Sequence, residues 1–312
     1  MINVTTIGGG SGSFQTLLAL KKIENVNISA IVAMSDNGGS TGLLRTLYGI
    51  LPPGDVRNCL VALSEESYIW SKIFSYRFDE KLSSHNLGNL ILTALTDYYG
   101  SFEKALEEAH KILNVKHKVI PITYSCIDLK AEFEDGKTLI GEREIFEYCK
   151  TSKIRKIEIY SKEKNLFPNP KTIKAIRESD FIVIGPGSFY SSILSNVVFP
   201  EIADEIKTSN SIKIFILNIV NDLETKDFKL SDYIKNLEKH IHLDYIIVNS
   251  TIPNEKILLH YKKEGKEIPE IDIEDERIIF ADLINSDNLL RHDPEKLSRL
   301  LEWLFLKHKR KI

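Results

Sequence analysis

Residues 4–14, VTTIGGGSGSF, decide how this chain folds. Val4 and Ile7, with the β-branched Thr5 and Thr6, predict a short buried strand. Phe14, Leu17 and Leu18 predict the core face of a helix. Gly8, Gly9, Gly10 and Gly12 therefore fall in a strand-to-helix turn, where a residue without Cβ admits positive φ and a close approach by a ligand or a second backbone. The helix N-terminus beyond offers unpaired N–H groups and a partial positive charge, which suits a phosphate, and Ser11 belongs to the same loop. The plainer alternative is a tight turn with no ligand.

The rest of the chain repeats this alternation. Residues 27–34, 118–123, 180–186, 212–220 and 243–250 are nearly continuous in Ile, Val, Leu and Phe, as strands covered on both faces require. Helical patterns fill the intervals at 14–22, 55–63, 87–98, 102–113, 170–177, 191–208, 230–240 and 255–263. A last helix follows Asp293 as N-cap and Pro294 at its first position. The order predicts an α/β fold: a doubly wound, mostly parallel, Rossmann-like sheet with helices on both faces. Residues 124–164 break the rule. They alternate apolar and polar around Asp135-Gly136, a hairpin signal, and 153–160 alternate similarly. The expectation is one domain over 1–312 with a small antiparallel excursion, not a second domain.

Ligands of such sheets bind beyond the carboxyl ends of the strands, where the strand order switches. The second strand ends in SDNGGSTG (35–42), which supplies Asp36, Asn37, Gly38, Gly39, Ser40 and Thr41. A later strand runs into IGPGSFYSS (184–192), with Gly185, Gly187 and Ser188, and Asn218 closes another. Each loop alone is weak evidence; three on one edge favour a nucleotide or sugar-nucleotide cleft. Gly8, Gly10 and position 13 overlie G-x-G-x-x-G, but position 13 is Ser, a departure from the dinucleotide fingerprint. Asp36 stands where NAD-binding folds keep their ribose acid, so a nicotinamide reading stays open. A Walker A lysine is absent.

Further candidates lie between these loops. Asp55 reads most simply as the N-cap of a helix starting at Val56, with a catalytic acid as the alternative, and Arg57 and Asn58 fall in that helix's first turn. A cation there opposes the helix dipole and suggests an anionic partner. His85 reads as a general base or phosphate donor, or more plainly as a helix-start histidine bonded to backbone. Asn86 and Asn89 share a helix face that could read sugar or base edges.

Composition narrows the class. A formal net charge of -3 marks no general nucleic-acid binder, and no run approaches the roughly 20 apolar residues that span a bilayer. Cys59, Cys126 and Cys149 are odd in number and lack metal-ligand spacing, so they read as reduced, mostly buried thiols. The N-terminus enters its first strand at once, which leads to the expectation of a cytoplasmic protein.

The segments IGGGSGS, AIVAMSDNGGSTGLLR, GILPPGDVRNCLVALS, HNLGNLILTAL and RHDPEKL resemble the YvcK/CofD-like family, in order and over nearly the whole chain. The stretch GILPPGDVRNCLVAL places the sequence nearer the YvcK, or gluconeogenesis-factor, branch. One departure is NIVNDLETKDF, which lacks the Gln-Pro-Gly that branch carries after the strand. The resemblance implies a parallel-sheet fold, a cleft at the strand ends and self-association as a homodimer or larger homo-oligomer. YvcK-type proteins bind UDP-N-acetylglucosamine and act on cell-wall precursor supply, and the matching positions here are Tyr261, as a stacking ring, and the pair Arg291-His292, with Arg291 as a diphosphate clasp. CofD-type proteins transfer a phospholactyl group from a nucleotide-linked donor to a deazaflavin with magnesium, which implies Asp36 as a magnesium ligand beside Asn37. The leading expectation is a non-catalytic UDP-sugar-binding regulator, since no clear nucleophile–base pair is visible. A phospholactate transferase comes second and an NAD-dependent enzyme third.

Overall fold

A computed structural model describes residues 1–65, 67–80, 84–163, 166–253, 255–285 and 291–309, with the side chains of Ser11 and Lys309 excluded. Lys164, at the far end of the expected excursion, lies outside these. The chain begins β1 (Ile2–Gly8), α1 (Gly10–Lys21), β2 (Val26–Val32), α2 (Gly39–Tyr48), α3 (Pro53–Leu63), α4 (Ile69–Ser75), α5 (Leu87–Tyr99), α6 (Phe102–Ile112) and β3 (Lys118–Pro121). An excursion follows: β4 (Asp128–Phe133), β5 (Thr138–Ile140), α7 (Glu142–Tyr148) and β6 (Ile154–Tyr160). The chain then forms α8 (Pro170–Arg177), β7 (Phe181–Ile184), a π-helical segment Phe189–Leu194, α9 (Ser195–Val197), α10 (Pro200–Thr208) and β8 (Ile212–Ile216). It ends with α11 (Leu230–Glu238), β9 (Tyr245–Asn249), α12 (Glu255–Lys263), β10 (Ile278–Ala281) and α13 (Pro294–Lys309).

Seven strands form the main sheet in the order β10-β9-β8-β7-β1-β2-β3, with every neighbouring pair parallel. The chain winds from β1 outward through β2 to β3, then crosses back to place β7 on the other side of β1. That reversal between β1 and β7 is the switch point of a doubly wound sheet. Strands β7 and β8 are buried almost along their length, which explains their unbroken apolar sequence. The excursion is a separate antiparallel sheet in the order β5-β4-β6, with its turn at Asp135-Gly136 as the alternation implies. Among the described residues no helix is long and apolar enough to cross a membrane.

Several expectations need correction. The glycine-rich residues 38–42 do not stay a turn: Gly38 is the N-cap of α2, and the helix runs to Tyr48. Helix α3 starts at Pro53, with Pro52 at the N-cap and no side-chain cap, so Asp55 lies in the first turn and does not cap. Arg57 and Asn58 consequently sit one turn further in. The expected helix over 191–208 is broken, because Pro200 starts a new helix and cannot donate to the preceding turn. Strand β10 and helix α7 went unread, the first for its four-residue length and the second because GEREI also fits a strand alternation. The Asp293 cap does form: its Oδ1 accepts from the N–H groups of Glu295 and Lys296 at 2.8 and 3.1 Å.

Helix α13 closes the core. Phe305 is fully buried and its ring lies 4.3 Å from that of Phe181 on β7, centroid to centroid. Phe305→Ala is expected to lower unfolding stability by about 3–5 kcal/mol, since the lost contacts leave a cavity. Urea denaturation checks this, and a loss well below 1 kcal/mol would place the ring outside the cooperative core.

Candidate functional site

The site begins where β1 and β7 end side by side. Helix α1 starts at Gly10, whose φ of +65° favours glycine, and the helix has neither a side-chain cap nor an acidic residue in its first turn. Its leading N–H groups therefore face the switch point without an anion from their own segment. The second wall is the Gly185–Ser188 loop. A Cβ on Gly12 would lie 2.4 Å from the Pro186 carbonyl oxygen, so the two loops pack at a distance that only glycine permits. Asn218 braces the second loop, accepting from the Gly187 N–H at 2.9 Å and donating to the Gly187 carbonyl at 2.8 Å. The departure after β8 thus leaves Asn218 with a defined task.

Between the loops lies a cleft of about 320 Å³, walled by Gly9, Gly10, Gly12, Gly187 and Ser188 and further along by Asn221, Asp222, Lys266, Arg291 and His292. That volume lies in the range of small-ligand pockets. Arg291 faces it with no ion pair among the described residues, whereas Lys266 is held by Glu264 at 2.7 Å. Tyr261 does not line this cleft: only 3% exposed, it is turned inward on α12, and the turn after it delivers Lys266. An aromatic residue matched by family pattern alone proved to be a buried one.

The acidic loop after β2 reaches the first loop through Asp55. A Cβ on Gly9 would meet Asp55 Oδ2 at 2.4 Å, and one on Gly54 would meet Thr41 Oγ1 at 2.5 Å and Asp36 Oδ2 at 3.2 Å. Asp55 therefore sits under the Gly9–Gly10 turn with Asp36 behind it. Asp36 itself accepts from the Gly38 N–H at 2.8 Å. Burial raises the Asp36 carboxyl above its usual range, against the pull of the Gly38 N–H, Thr41 and Arg45. Burial first and the Asp36 charge second push Asp55 up to about 7.

A hydrogen-bonded chain fixes Asp55. His85 Nδ1 and Ser40 Oγ are 2.9 Å apart, and Asn89 Nδ2 donates to Ser40 Oγ at 3.4 Å. Arg57 Nε donates to Asn89 Oδ1 at 3.0 Å, and its terminal nitrogen to Asn58 Oδ1 at 2.6 Å. Asn58 in turn supports the Asp55 carboxyl. Arg57 is thus a buried internal strut, and its guanidinium is engaged by neutral acceptors instead of a ligand anion. Asn86 is the N-cap of α5, accepting from the Asn89 N–H at 3.2 Å, so neither asparagine is free to read a base edge. His85 bonds a side chain, contrary to the plainer expectation of a backbone partner.

The excursion docks on the same loop. Asn37 Nδ2 donates to Glu144 Oε2 at 2.9 Å and its Oδ1 accepts from the Arg143 N–H at 2.9 Å. This clamp sets Glu142 against the acidic group: burial, then Asp36, Glu224 and Asp55, raise its carboxyl well above the usual range. Glu224 is buried and accepts from the N–H groups of Tyr190 and Ser191 at 3.0 and 3.3 Å, anchoring the π-helical segment behind the Ser188 loop. Burial and the nearby Asp222 raise its carboxyl as well. Sequence reading missed Glu142 and Glu224, and it favoured a capping role for Asp55 over a catalytic one. For Asp55 a signal existed: PPGD places an acid at the third helical position after Pro-Pro, where it faces outward along the helix start. Cys59 and Cys149 are buried free thiols and Cys126 is exposed.

A doubly wound parallel sheet with two glycine loops apposed at its switch point defines a Rossmann-like α/β protein, with a cleft at the place where such sheets take ligands. The family model for "2-phospho-L-lactate transferase CofD" matches residues 4–288. A "Putative gluconeogenesis factor" of Aquifex aeolicus is 40% identical, covering 96% of this chain and 95% of its own. The "Gluconeogenesis factor" of Bacillus subtilis is 37% identical over 96% of each chain. A crystal structure of a UPF0052-family protein from Bacillus halodurans superposes with a TM-score of 0.88 at 36% identity, covering 96% of this chain and 99% of that one. The chain belongs to the YvcK/CofD family, among relatives named gluconeogenesis factors.

The Asp55 environment yields a pH prediction for metal-free protein. Its carboxyl holds a proton more tightly folded than unfolded, so it contributes stability below about pH 4 that is lost as pH rises through about 7. Asp55→Asn is expected to match wild type near pH 4 and to exceed it at pH 8 by on the order of 1–3 kcal/mol. Denaturant unfolding in chelator across that range checks this; parallel pH slopes for the two proteins would refute it.

Proposed function

We propose that the cleft between the β1 and β7 loops binds a nucleoside diphosphate carried as a nucleotide sugar, UDP-N-acetylglucosamine foremost. The protein would then be a ligand-responsive regulator of central carbon metabolism and cell-wall precursor supply. The observation that carries this reading is that the start of α1, with no acid in its own first turn, and Arg291, with no ion pair among the described residues, line one cleft. A diphosphate needs N–H donors on one side and a cation on the other, and Arg can clasp two of its oxygens at once. No nucleophile hydrogen-bonded to a base lines this cleft among the described residues. The Ser40–His85 pair belongs to the neighbouring network, with Ser40 already accepting from Asn89.

A second reading, a CofD-like phospholactyl transfer, is favoured by the Asp36–Asp55 pair. A bare carboxylate under the α1 N-terminus competes with a phosphate for the same N–H groups. The conflict is removed when the carboxyl is neutral or when a cation lies between the two anions. Hard oxygen donors suit magnesium, which commonly takes one or two carboxylates and completes its shell with water and substrate phosphates. Among the described residues no three acidic, histidine or cysteine side chains are grouped to hold a metal, so two carboxylates plus a ligand is the mode that fits. Magnesium bound there would neutralise phosphate charge. Asp36 and Asp55 would hold it, Asn58 would orient Asp55, and the Gly9–Gly12 backbone would position the phosphates. The NAD reading has less behind it, since Asp36 is turned onto Gly38 and the start of α3.

Calorimetric titration with UDP-N-acetylglucosamine, GDP and NAD, with and without magnesium, separates the three. The UDP-sugar is expected to bind wild type. Arg291→Ala should weaken it by roughly tenfold or more, as loss of a charge-assisted contact implies, and Arg291→Lys should restore it only in part. Binding of GDP alone, dependent on magnesium and abolished by Asp36→Asn, would replace the regulator with the transferase.

A further inference from the structure

We infer that the groove along the outer edge of β3, apart from the cleft, is a second ligand site that takes a free apolar monocarboxylate, its tail against the strand and its head at Lys116 and Lys118. The groove holds about 540 Å³, more than the cleft, over a floor of Leu106, Val119, Ile120 and Ala175. Helices α6 and α8 wall it. Lys171 on α8 ties them together, 2.7 Å from Glu103 and 3.8 Å from Glu107 on α6. Strand β3 ends the main sheet, with β2 on one side and no strand on the other among the described residues. Small-ligand sites commonly have this size, an apolar floor and a few polar groups that orient the ligand.

The edge does not invite a further strand. Alternate residues of a parallel strand face its partner, and the Ile122 N–H donates to the Val32 carbonyl, so Val119 and Pro121 face outward. The Val119 N–H is already taken by His110 Nε2 at 3.2 Å, while His110 Nδ1 donates to the Leu106 carbonyl at 2.8 Å. Pro121 has no N–H. With no outward donor left on β3 for a peptide, the groove suits an occupant that fills apolar volume without backbone pairing. Charge sets which end holds the head. Along the walls the acids are matched, Glu103 and Glu107 by Lys171 and Glu178 by Lys174 at 3.7 Å. Lys116 and Lys118 are exposed and form no ion pair among the described residues. Between them, His117 Nδ1 accepts from the Ile28 N–H at 3.4 Å, which leaves the ring proton on Nε2 as a donor. Burial, then Lys21 and Lys116, lower the His117 pKa and keep the ring neutral. Two ammonium groups and a ring N–H at one end match the two oxygens of a carboxylate. The four residues of β3 span about 13 Å at about 3.3 Å each, the reach of a medium-length acyl chain.

The test uses full-length protein and calorimetric titration with decanoate, octanoate and decanol, each kept below the concentration at which it aggregates. Decanoate is expected to bind, and octanoate to bind roughly tenfold more weakly, because two fewer methylene groups are buried. Decanol, with the same tail and no charge, should also bind roughly tenfold more weakly than decanoate. Lys116→Glu combined with Lys118→Glu, both at exposed positions, should erase the preference for decanoate over decanol and leave decanol binding unchanged. Ala175→Phe should close the groove to all three probes, whereas Arg291→Ala, in the cleft, should bind them as wild type does. Failure of decanoate to bind wild type would overturn the proposal. Binding that persists unchanged in both groove variants, the mark of nonspecific adsorption, would overturn it too, as would wild type that prefers decanol. The charge-reversal pair keeps the test decisive if Ala175→Phe fails to fold.

Discussion

The close approach of Gly12 to Pro186 is the constraint on which the rest of the molecule turns. Two loops leave adjacent strands in the same direction and would splay apart if either carried a side chain at the contact. With hydrogen at that position, the backbone of one loop lies on the backbone of the other. The start of α1 is thereby aimed across the switch point, and the Pro186–Ser188 segment becomes its opposite wall. Asn218 then holds Gly187 at both its N–H and its carbonyl, so the second wall is fixed from the β8 side. A single absent methyl group decides the geometry, and a single amide preserves it.

Behind this contact the protein keeps a group of acids that are short of cations. Asp36, Asp55 and Glu142 come from three different elements, yet Asp36 raises the proton affinity of Asp55 and both raise that of Glu142. The nearby arginines do not neutralise them. Arg45 is paired with Asp128 at 3.1 Å, and Arg57 is bonded to two asparagines. A fold that only needed stability would have apolar residues here, because a buried carboxyl is costly to ionise. The arrangement is the kind of local cost that accompanies ligand sites, where charge is held ready for a partner.

How much of this was legible in the sequence follows from the range of each signal. The parallel sheet was readable because buried strands announce themselves by local content, and the opening glycines because a strand and a helix flank them closely. The hairpin at Asp135-Gly136 was readable for the same reason. Asp55 was misread because Pro-Pro-Gly-Asp fits both a capping turn and a helix already begun, and only the contact with Gly9, far away in sequence, separates them. Arg57, Asn86 and Asn89 looked like ligand groups since polar residues near a helix start have two uses; their actual partners are each other. Tyr261 and Arg291 matched the family pattern equally well, but burial, a property of the whole fold, distinguishes them. His292 entered the reading only through the same pattern, as the neighbour of Arg291, and its burial could not be read from it.

The Asn37 clamp has a consequence for how a ligand could be sensed. One amide gives a hydrogen to Glu144 and takes one from the Arg143 backbone, joining the acidic loop to the start of α7. Aspartate would keep the second bond but repel Glu144, and serine is too short to span both, so only an amide serves both contacts. Whatever displaces this loop must either break two hydrogen bonds or carry α7 with it. The three-stranded excursion is thus tied through α7 to the loop that carries the acidic group.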